Sequence, residues 1–287
     1  MIDKEKKIQH FLKLYYSDID NFKIKHLPSW VSFYAYQLQN EVNKTTPRYY
    51  RKYIPGEIVL VNFGTSIGQE LCGPHFAVVL NKKDDKYKTV LTVVPLSSKL
   101  HSSYVSLGKE LTNRMQEAVF ASRKSTSNEL KSVSKELSEL PNILKGGPKA
   151  TKEEINIITQ STALQKMSKK YKQTNAVDEK DWIFLKGLLA KYANSDHYPT
   201  LSKVSDLFEA TDKLNEKLIK LNLSTNKIKK FSNEVKKHNK NTFAAVNNIK
   251  TISKLRLIDF YDRSVVNRIL ISDNALHKIK ISLNNLI

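Results

Sequence analysis

Three apolar runs stand close together in the first third of the chain: EIVLVNF (57–63), HFAVVLN (75–81) and TVLTVVPL (89–96). Each is too short for a helix, rich in β-branched residues and bounded by glycine, proline or polar residues, so each reads as a strand. SSYVSL (102–107) reads as a fourth, and Lys82 to Lys86 as a polar hairpin connection between the second and third. No helix-length segment separates these runs. Parallel neighbours need a long crossover, so the strands are expected to form a small antiparallel barrel rather than a parallel α/β sheet.

The flanking segments have a different period. Ile8, Phe11, Leu12 and Tyr15 share one helical face, and Trp30, Phe33, Tyr34 and Leu38 share another after a break at Leu27-Pro28-Ser29, which gives two N-terminal helices over residues 1–47. Residues 109–240 are rich in Lys, Glu, Leu, Ser and Asn. Their apolar residues keep three-and-four spacing in three segments: Leu130 to Leu144 up to a Gly146-Gly147-Pro148 stop, Ile155 to Tyr171, and Trp182 to Leu189. The fourth segment repeats by heptads through Leu207, Leu214, Leu221, Ile228 and Val235, with Leu218 interrupted by Thr211, Thr225 and Ser232 at the companion position. A half-polar seam of this kind suits an intramolecular helical hairpin better than a two-chain zipper. TFAAVNNIKTISKLRLIDF (242–260) returns to β character, and ISDNALHKIKISLNNLI reads as a terminal helix with Asp273 as its N-cap.

The charge balance narrows the partner class. Lys and Arg number 48 against 28 Asp and Glu, a formal +20, which is the footprint of a chain that meets nucleic acid or another polyanion, although a solvated lysine-rich surface has the same sum. A single cysteine excludes a disulfide framework and a thiolate zinc cluster. No metal or cofactor signature is present, and no apolar run is long enough to span a bilayer, so an unexported, cytoplasmic chain without membrane attachment is expected.

GQELCGPHFAVVL (68–80) sets Glu70, Cys72 and His75 at the mouth of a strand. Taken in order with GEIVLVNFG, TVLTVVPLSSK and NIKTISKLRLI, it resembles the MazF/PemK family of toxin endoribonucleases over residues 54–107 and 243–287. The resemblance implies an α+β fold built on an SH3-like β-barrel, residues 48–108 and 241–287, with N-terminal helices (1–47), a C-terminal helix and an inserted helical module (109–240). Gly108 and Thr242 should then lie side by side, because a module inserted into a barrel must return its ends together.

The resemblance also implies an activity: cleavage of single-stranded RNA without metal, commonly by a homodimer, silenced by a protein antitoxin or activated by a defence-operon partner. His75 stands where the family carries its catalytic arginine, Ser97 where it carries a threonine, and Lys250 where it carries an arginine; the family's upstream Arg-x-Asp pair reads Ala245 and Asn247 here. Imidazole exchanges protons near neutrality and guanidinium does not, so His75 is expected as general acid or base. Glu70 is expected to set its protonation or orient the loop, Ser97 and Ser98 to bond a phosphate oxygen, and Lys250 and Lys99 to supply positive charge. Arg48, Tyr49, Arg51 and Lys52 combine stacking faces with cations as single-strand binders do, and the same residues can equally pack on a barrel edge. Cys72 reads as a small half-buried residue. Two other functions share the fold: a catalytically weak RNA- or DNA-binding regulator, and an interaction protein acting through the insertion.

Overall fold

The computed structural model describes residues 2–17, 20–68, 70–147, 149–174 and 179–286; Pro148 of the expected stop and the Tyr171 side chain lie outside what is described. Its helices are α1 (Ile2–Tyr15), α2 (Phe22–Val42), α3 (Glu110–Leu144), α4 (Lys152–Gln160), α5 (Thr162–Thr174), α6 (Glu179–Leu189), α7 (Pro199–Lys237) and α8 (Asp273–Asn284). Its strands are β1 (Ile58–Asn62), β2 (Pro74–Val79), β3 (Val90–Ser97), β4 (Val105–Ser106), β5 (Phe243–Ala244), β6 (Lys250–Ser253) and β7 (Leu257–Ile258). The chain forms two compact units, the first made of Met1–Ser122 and Lys227–Ile287, the second of Arg123–Asn226.

In the first unit the strands form one antiparallel sheet in the order β4-β5-β3-β2-β1-β7, with β6 also on β3. Side chains alternate between two buried layers. Val59, Val61, Ala77, Val79, Leu91, Val93 and Ile252 pack with Tyr53 and Phe63 on one face. Ile58, Val78, Val94, Leu96 and Ala244 face the other way, onto Met115 and Val119 of α3, Phe231 and Val235 of α7, and Ala275 and Ile279 of α8. Burial on both faces explains why the strands read as continuous apolar runs; each fully buried Val or Ile contributes about 1.5–3 kcal/mol.

The expectation of a closed barrel is corrected. Among the described residues no pairing joins the edge strands β4 and β7, which are two residues long and carry too few backbone groups for a closing ladder. The chain makes the return instead: β6 lies on β3, a 3-10 turn (Lys254–Arg256) follows, and β7 lies on β1. An ion pair fixes that turn. Lys254 Nζ, buried, donates to both Asp84 oxygens at 2.8 and 2.9 Å, to Arg51 O at 3.0 Å and to Asp85 O at 3.2 Å, while Asp84 also accepts from Tyr53 N at 2.8 Å. The connection from 82 to 86 is therefore not uniformly solvated, contrary to its reading as a polar hairpin.

Two local expectations also change. Pro28 does not break a helix but sits inside α2, and the interruption lies between Tyr15 and Phe22, where Asn21 caps α2 through Lys23 N at 2.8 Å. The cap of α8 is Ser272, whose hydroxyl accepts from Ala275 N at 3.2 Å, and Asp273 is the first helical residue, where a carboxylate suits the positive end of the dipole. Where the chain enters α3 and returns from α7, Thr242 N donates to Gly108 O at 2.6 Å and Leu107 N to Thr242 O at 2.9 Å, so Gly108 and Thr242 lie side by side. Gly108 adopts φ +62°, a left-handed conformation that favours glycine at the entry to α3.

In the second unit Leu214 and Leu221 of the heptad series form a buried cluster with Val133, against which Leu140 packs, and Lys217 pairs with Glu136. The partner of the seam is thus a helix of the same chain. Glu154, fully buried, closes a capping box with Thr151 at the start of α4 and accepts from Thr200 N at 2.8 Å and Leu201 N at 3.1 Å at the start of α7. One carboxylate thereby satisfies the free N–H groups of two helix ends. Trp182 stacks on Phe208 with centroids 4.6 Å apart, and its indole N–H donates to Asp212.

Candidate active site

The β2–β3 ladder pairs Ala77 with Pro95, Val78 with Val94 and Val79 with Val93. Beyond Pro95, β3 pairs on its other side with β5, Leu96 to Ala244 and Ser97 to Phe243. The start of β2 and the end of β3 are left unpaired to one another, and a cavity of about 640 Å³ opens there. His75, Phe76, Leu96, Ser97 and Ser98 line it from the strands; Phe231, Glu234, Val235, Lys237, His238 and Lys240 line it from the end of α7 and the residues that follow.

Continuing the β2–β3 register puts His75 opposite Ser97, so both sit at the same level of the sheet on the same side. His75 is half-buried, with its ring 6.4 Å from that of Phe63. Burial pushes the imidazole below its ordinary 6.5 by disfavouring the charged form; hydrogen bonding to the Leu96 and Cys72 backbone pushes the other way, and the Lys99 charge adds to the depression. The ring is therefore largely neutral near pH 7, the form that accepts a proton. Ser97 is buried and committed to its own turn, its Oγ donating to Lys99 O at 3.2 Å and accepting from Lys99 N at 3.0 Å. Ser98 and Lys99 are exposed beside it.

Glu70 and Cys72 diverge from His75. The Glu70 carboxylate pairs with Lys250 Nζ on β6, and that pairing, with smaller help from Ser66 and Lys23, holds it below the ordinary carboxylate range. Lys250 is consequently occupied by a carboxylate rather than presented as a bare cation. Cys72 is buried, with its thiol in the loop: Sγ accepts from Ser66 N at 3.3 Å and lies 3.6 Å from Ser66 O. The loop is also covered from outside. Lys23 Nζ donates to Gly68 O at 2.6 Å, and the Trp30 ring lies against Gly64, which has φ +74°.

The basic aromatic stretch lies elsewhere. Tyr50 N donates to Lys86 O at 2.7 Å, and the Tyr49 ring meets the Tyr87 ring edge-on at 5.6 Å with Lys86 4.7 Å and Arg48 5.4 Å from the Tyr49 centroid. This cluster sits at the β2–β3 hairpin, about 20 Å along the strands from His75 at about 3.3 Å per residue. Arg51 is not part of a free surface, because it pairs with buried Glu57 at 2.8 Å, and Lys52 is exposed with its carbonyl accepting from Arg268. Burial raises the Glu57 carboxyl, and Arg51 opposes that rise.

Residues 54–141 match the family model described as a PemK-like, MazF-like toxin of type II toxin-antitoxin system. The chain carries a toxin domain of the MazF/PemK family. Members are generally endoribonucleases, and the family implies an RNA substrate and a protein antitoxin. The match covers β1 to β4 and most of α3, and the C-terminal blocks from Phe243 onward fall outside it. Neither a curated protein nor a solved structure matches the chain. No helix among the described residues is long and apolar enough to cross a membrane.

The sequence reading missed Lys237, His238 and Lys240. The signal was available: VKKHNKNT (235–242) closes the heptad segment, and Thr242 pairs with Gly108 beside the strand ends.

Proposed function

We propose that this toxin domain is a metal-independent endoribonuclease that cuts single-stranded RNA at the cavity between β2 and β3. The observation that carries the reading is the shared lining of that cavity: His75, Ser97 and Ser98 from the strand ends with Lys237 and Lys240 from the insertion. A phosphodiester reaching the strand ends meets His75, the exposed Ser98 hydroxyl and Lys240, while Lys237 is shared with Glu234 at 2.7 Å. That set suits attack of the adjacent 2′-hydroxyl on phosphorus. His75 takes the 2′-proton, Ser98 and the lysines stabilise the charge that builds on the non-bridging oxygens, and the P–O5′ bond breaks to leave a 2′,3′-cyclic phosphate and a 5′-hydroxyl. Ser97 holds the turn that aims Ser98 and Lys99. Glu70 and Lys250 fix the β1–β2 loop, and Tyr49 and Tyr87 offer stacking faces to RNA running along the strands toward the hairpin. An antitoxin silences the activity by covering this cavity.

The test is incubation of the full chain with a labelled single-stranded RNA in EDTA. Cyclic-phosphate products that vanish in His75→Ala while RNA binding persists support the reading. RNA that is bound and left intact by the unmodified chain points instead to a nucleic-acid-binding regulator.

A further inference from the structure

The mouth of the loop between β1 and β2 is held from outside by an N-terminal helix. We propose that Trp30 of α2, acting together with Arg256, is a positioning residue for His75, so that α2 is part of the working site. This rests on the endoribonuclease reading above for its effect on rate, and on the contacts alone for its effect on His75.

The contacts form an unbroken path from the helix to the imidazole. Trp30 lies on Gly64, where three atoms of its ring stand 2.5–2.7 Å from the place a Cβ would take; with φ at +74° as well, only glycine fits beneath it. The Arg256 guanidinium lies over the Trp30 ring, 4.9 Å from its centroid. Arg256 also donates from Nε to Asn62 O at 2.9 Å and from Nη2 to Phe63 O at 2.6 Å, the two residues before Gly64. These in turn hold the far side of the mouth: Phe63 N donates to Gly73 O at 3.0 Å, and Gly73 N to Gly64 O at 2.7 Å. Gly73 leads directly into Pro74 and His75 at the start of β2, and the Phe63 ring lies 6.4 Å from the His75 ring.

Two features favour positioning over bulk stability. No residue of α2 is buried, so its docking adds little to the core. Arg256 is half-buried, and burial is the influence that shifts it, downward; its guanidinium is committed to two carbonyls and a ring rather than to a carboxylate. The helix also lies outside residues 54–141, the span that matches the family, so this brace is an addition to the shared domain.

An imidazole that takes a proton from a hydroxyl must sit within hydrogen-bond reach of it, and a misplacement of about 1 Å lowers the rate about 10²-fold. The charged and titratable groups around the mouth are Lys23 on α2, Arg256, Cys72 in the loop and Lys99 after β3, with Glu70 taken up by Lys250. Glu234, Lys237, His238 and Lys240 line the cavity that His75 also lines. Of these charges Lys99 is the one that acts on His75, and burial acts more strongly. Trp30 brings no charge, so removing it changes packing and water access at His75 and leaves the charges in place.

The experiment uses the full chain with isotopically labelled histidine, followed by NMR through a pH titration. His75→Gln identifies the His75 signal among the seven histidines. In Trp30→Ala the His75 titration should move up toward 6.5, because water regains access to the ring, while the midpoint of thermal unfolding stays close to that of the unmodified chain. Arg256→Lys, which keeps the charge and loses the grip on two carbonyls, should move His75 in the same direction. Cleavage of a labelled single-stranded RNA by Trp30→Ala should fall about 10–10²-fold, through kcat with KM little changed, and Trp30→Phe, which keeps a ring over Gly64, should recover part of the loss. A His75 titration identical in Trp30→Ala and the unmodified chain overturns the proposal. So does an unfolding midpoint that falls in step with the rate, which makes Trp30 a structural residue only. If the unmodified chain cuts no RNA while His75 still shifts in Trp30→Ala, the endoribonuclease reading falls and the bracing of His75 stands; if it cuts RNA and His75 does not shift, the brace alone falls.

Discussion

Replacing Asp84 by Asn tests whether the return of the chain from β6 to β7 depends on a buried charge pair. The side chains of Asp84 and Lys254 are 0% and 2% exposed, and the ammonium has four acceptors within 3.2 Å, two of them on Asp84. Asn keeps the shape and one acceptor but removes the negative charge, leaving an ammonium buried against two carbonyls. Breaking a buried pair from one side costs about 3–5 kcal/mol. At about 2–4 °C per kcal/mol for a unit of this size, the midpoint of thermal unfolding should fall by about 6–20 °C. The double replacement Asp84→Leu with Lys254→Met removes both charges and should recover most of that loss. Recovery stays incomplete, because Tyr53 N then loses its acceptor, an orphan worth about 1–3 kcal/mol. Calorimetry on the three proteins, with urea midpoints as a second measure, decides it. A single variant within about 1 kcal/mol of the unmodified chain, or a double variant no more stable than the single, refutes the argument.

Gly64→Ala should destabilise the first unit by more than about 1 kcal/mol, because φ is +74° and an added Cβ would meet the Trp30 ring at 2.5 Å; the check is faster limited proteolysis of the β1–β2 loop, and an unchanged rate contradicts it. Glu154 bears on the second unit's pH response. Burial alone would raise its carboxyl, but the N–H donors of Thr151, Leu201 and Thr200 outweigh burial and hold it below 4.5, so its contribution is present above the unfolded value and is lost as pH falls through the folded one. Glu154→Gln should therefore lower the urea midpoint at pH 7 and flatten its fall between about pH 5 and 3. Tyr49→Ala with Tyr87→Ala should weaken single-stranded RNA binding by about 1–3 kcal/mol per lost stack without changing the cleavage rate at saturation; equal losses in binding and rate would place these rings at the chemistry instead.

The parts of the fold that follow from local period were readable in advance. β1 to β3 lie within a residue or two of the apolar runs, because burial on both faces leaves an unmixed signal, and the heptad leucines Leu214 and Leu221 are buried as their spacing implies. What depended on distant pairing was not readable. Asp84 looks like one more charge in KKDDK until Lys254, 170 residues later, is seen to reach it. Pro28 looks like a stop, yet it lies inside a helix started by the Asn21 cap seven residues earlier. Glu57 looks like a strand-end carboxylate, and only Arg51 and Arg268 reveal why it is buried.

The candidate site divides along the same line. The family pattern points to His75 at the start of β2 and Ser97 at the end of β3, and the register between the two strands sets them level. The same pattern pairs Glu70 with catalysis, whereas the side chain lies across the sheet on Lys250, a residue that joins the loop only because β6 runs along β3. The family model ends at residue 141, within α3, so no motif could speak for residues 237–240. Those residues reach the strand ends because the chain after α7 pairs with the chain before α3, at Gly108 and Thr242. With the chain paired there, the end of α7 and the residues that follow line the cavity at the start of β2 and the end of β3. Whatever else these helices do, the end of α7 supplies part of the wall of that cavity.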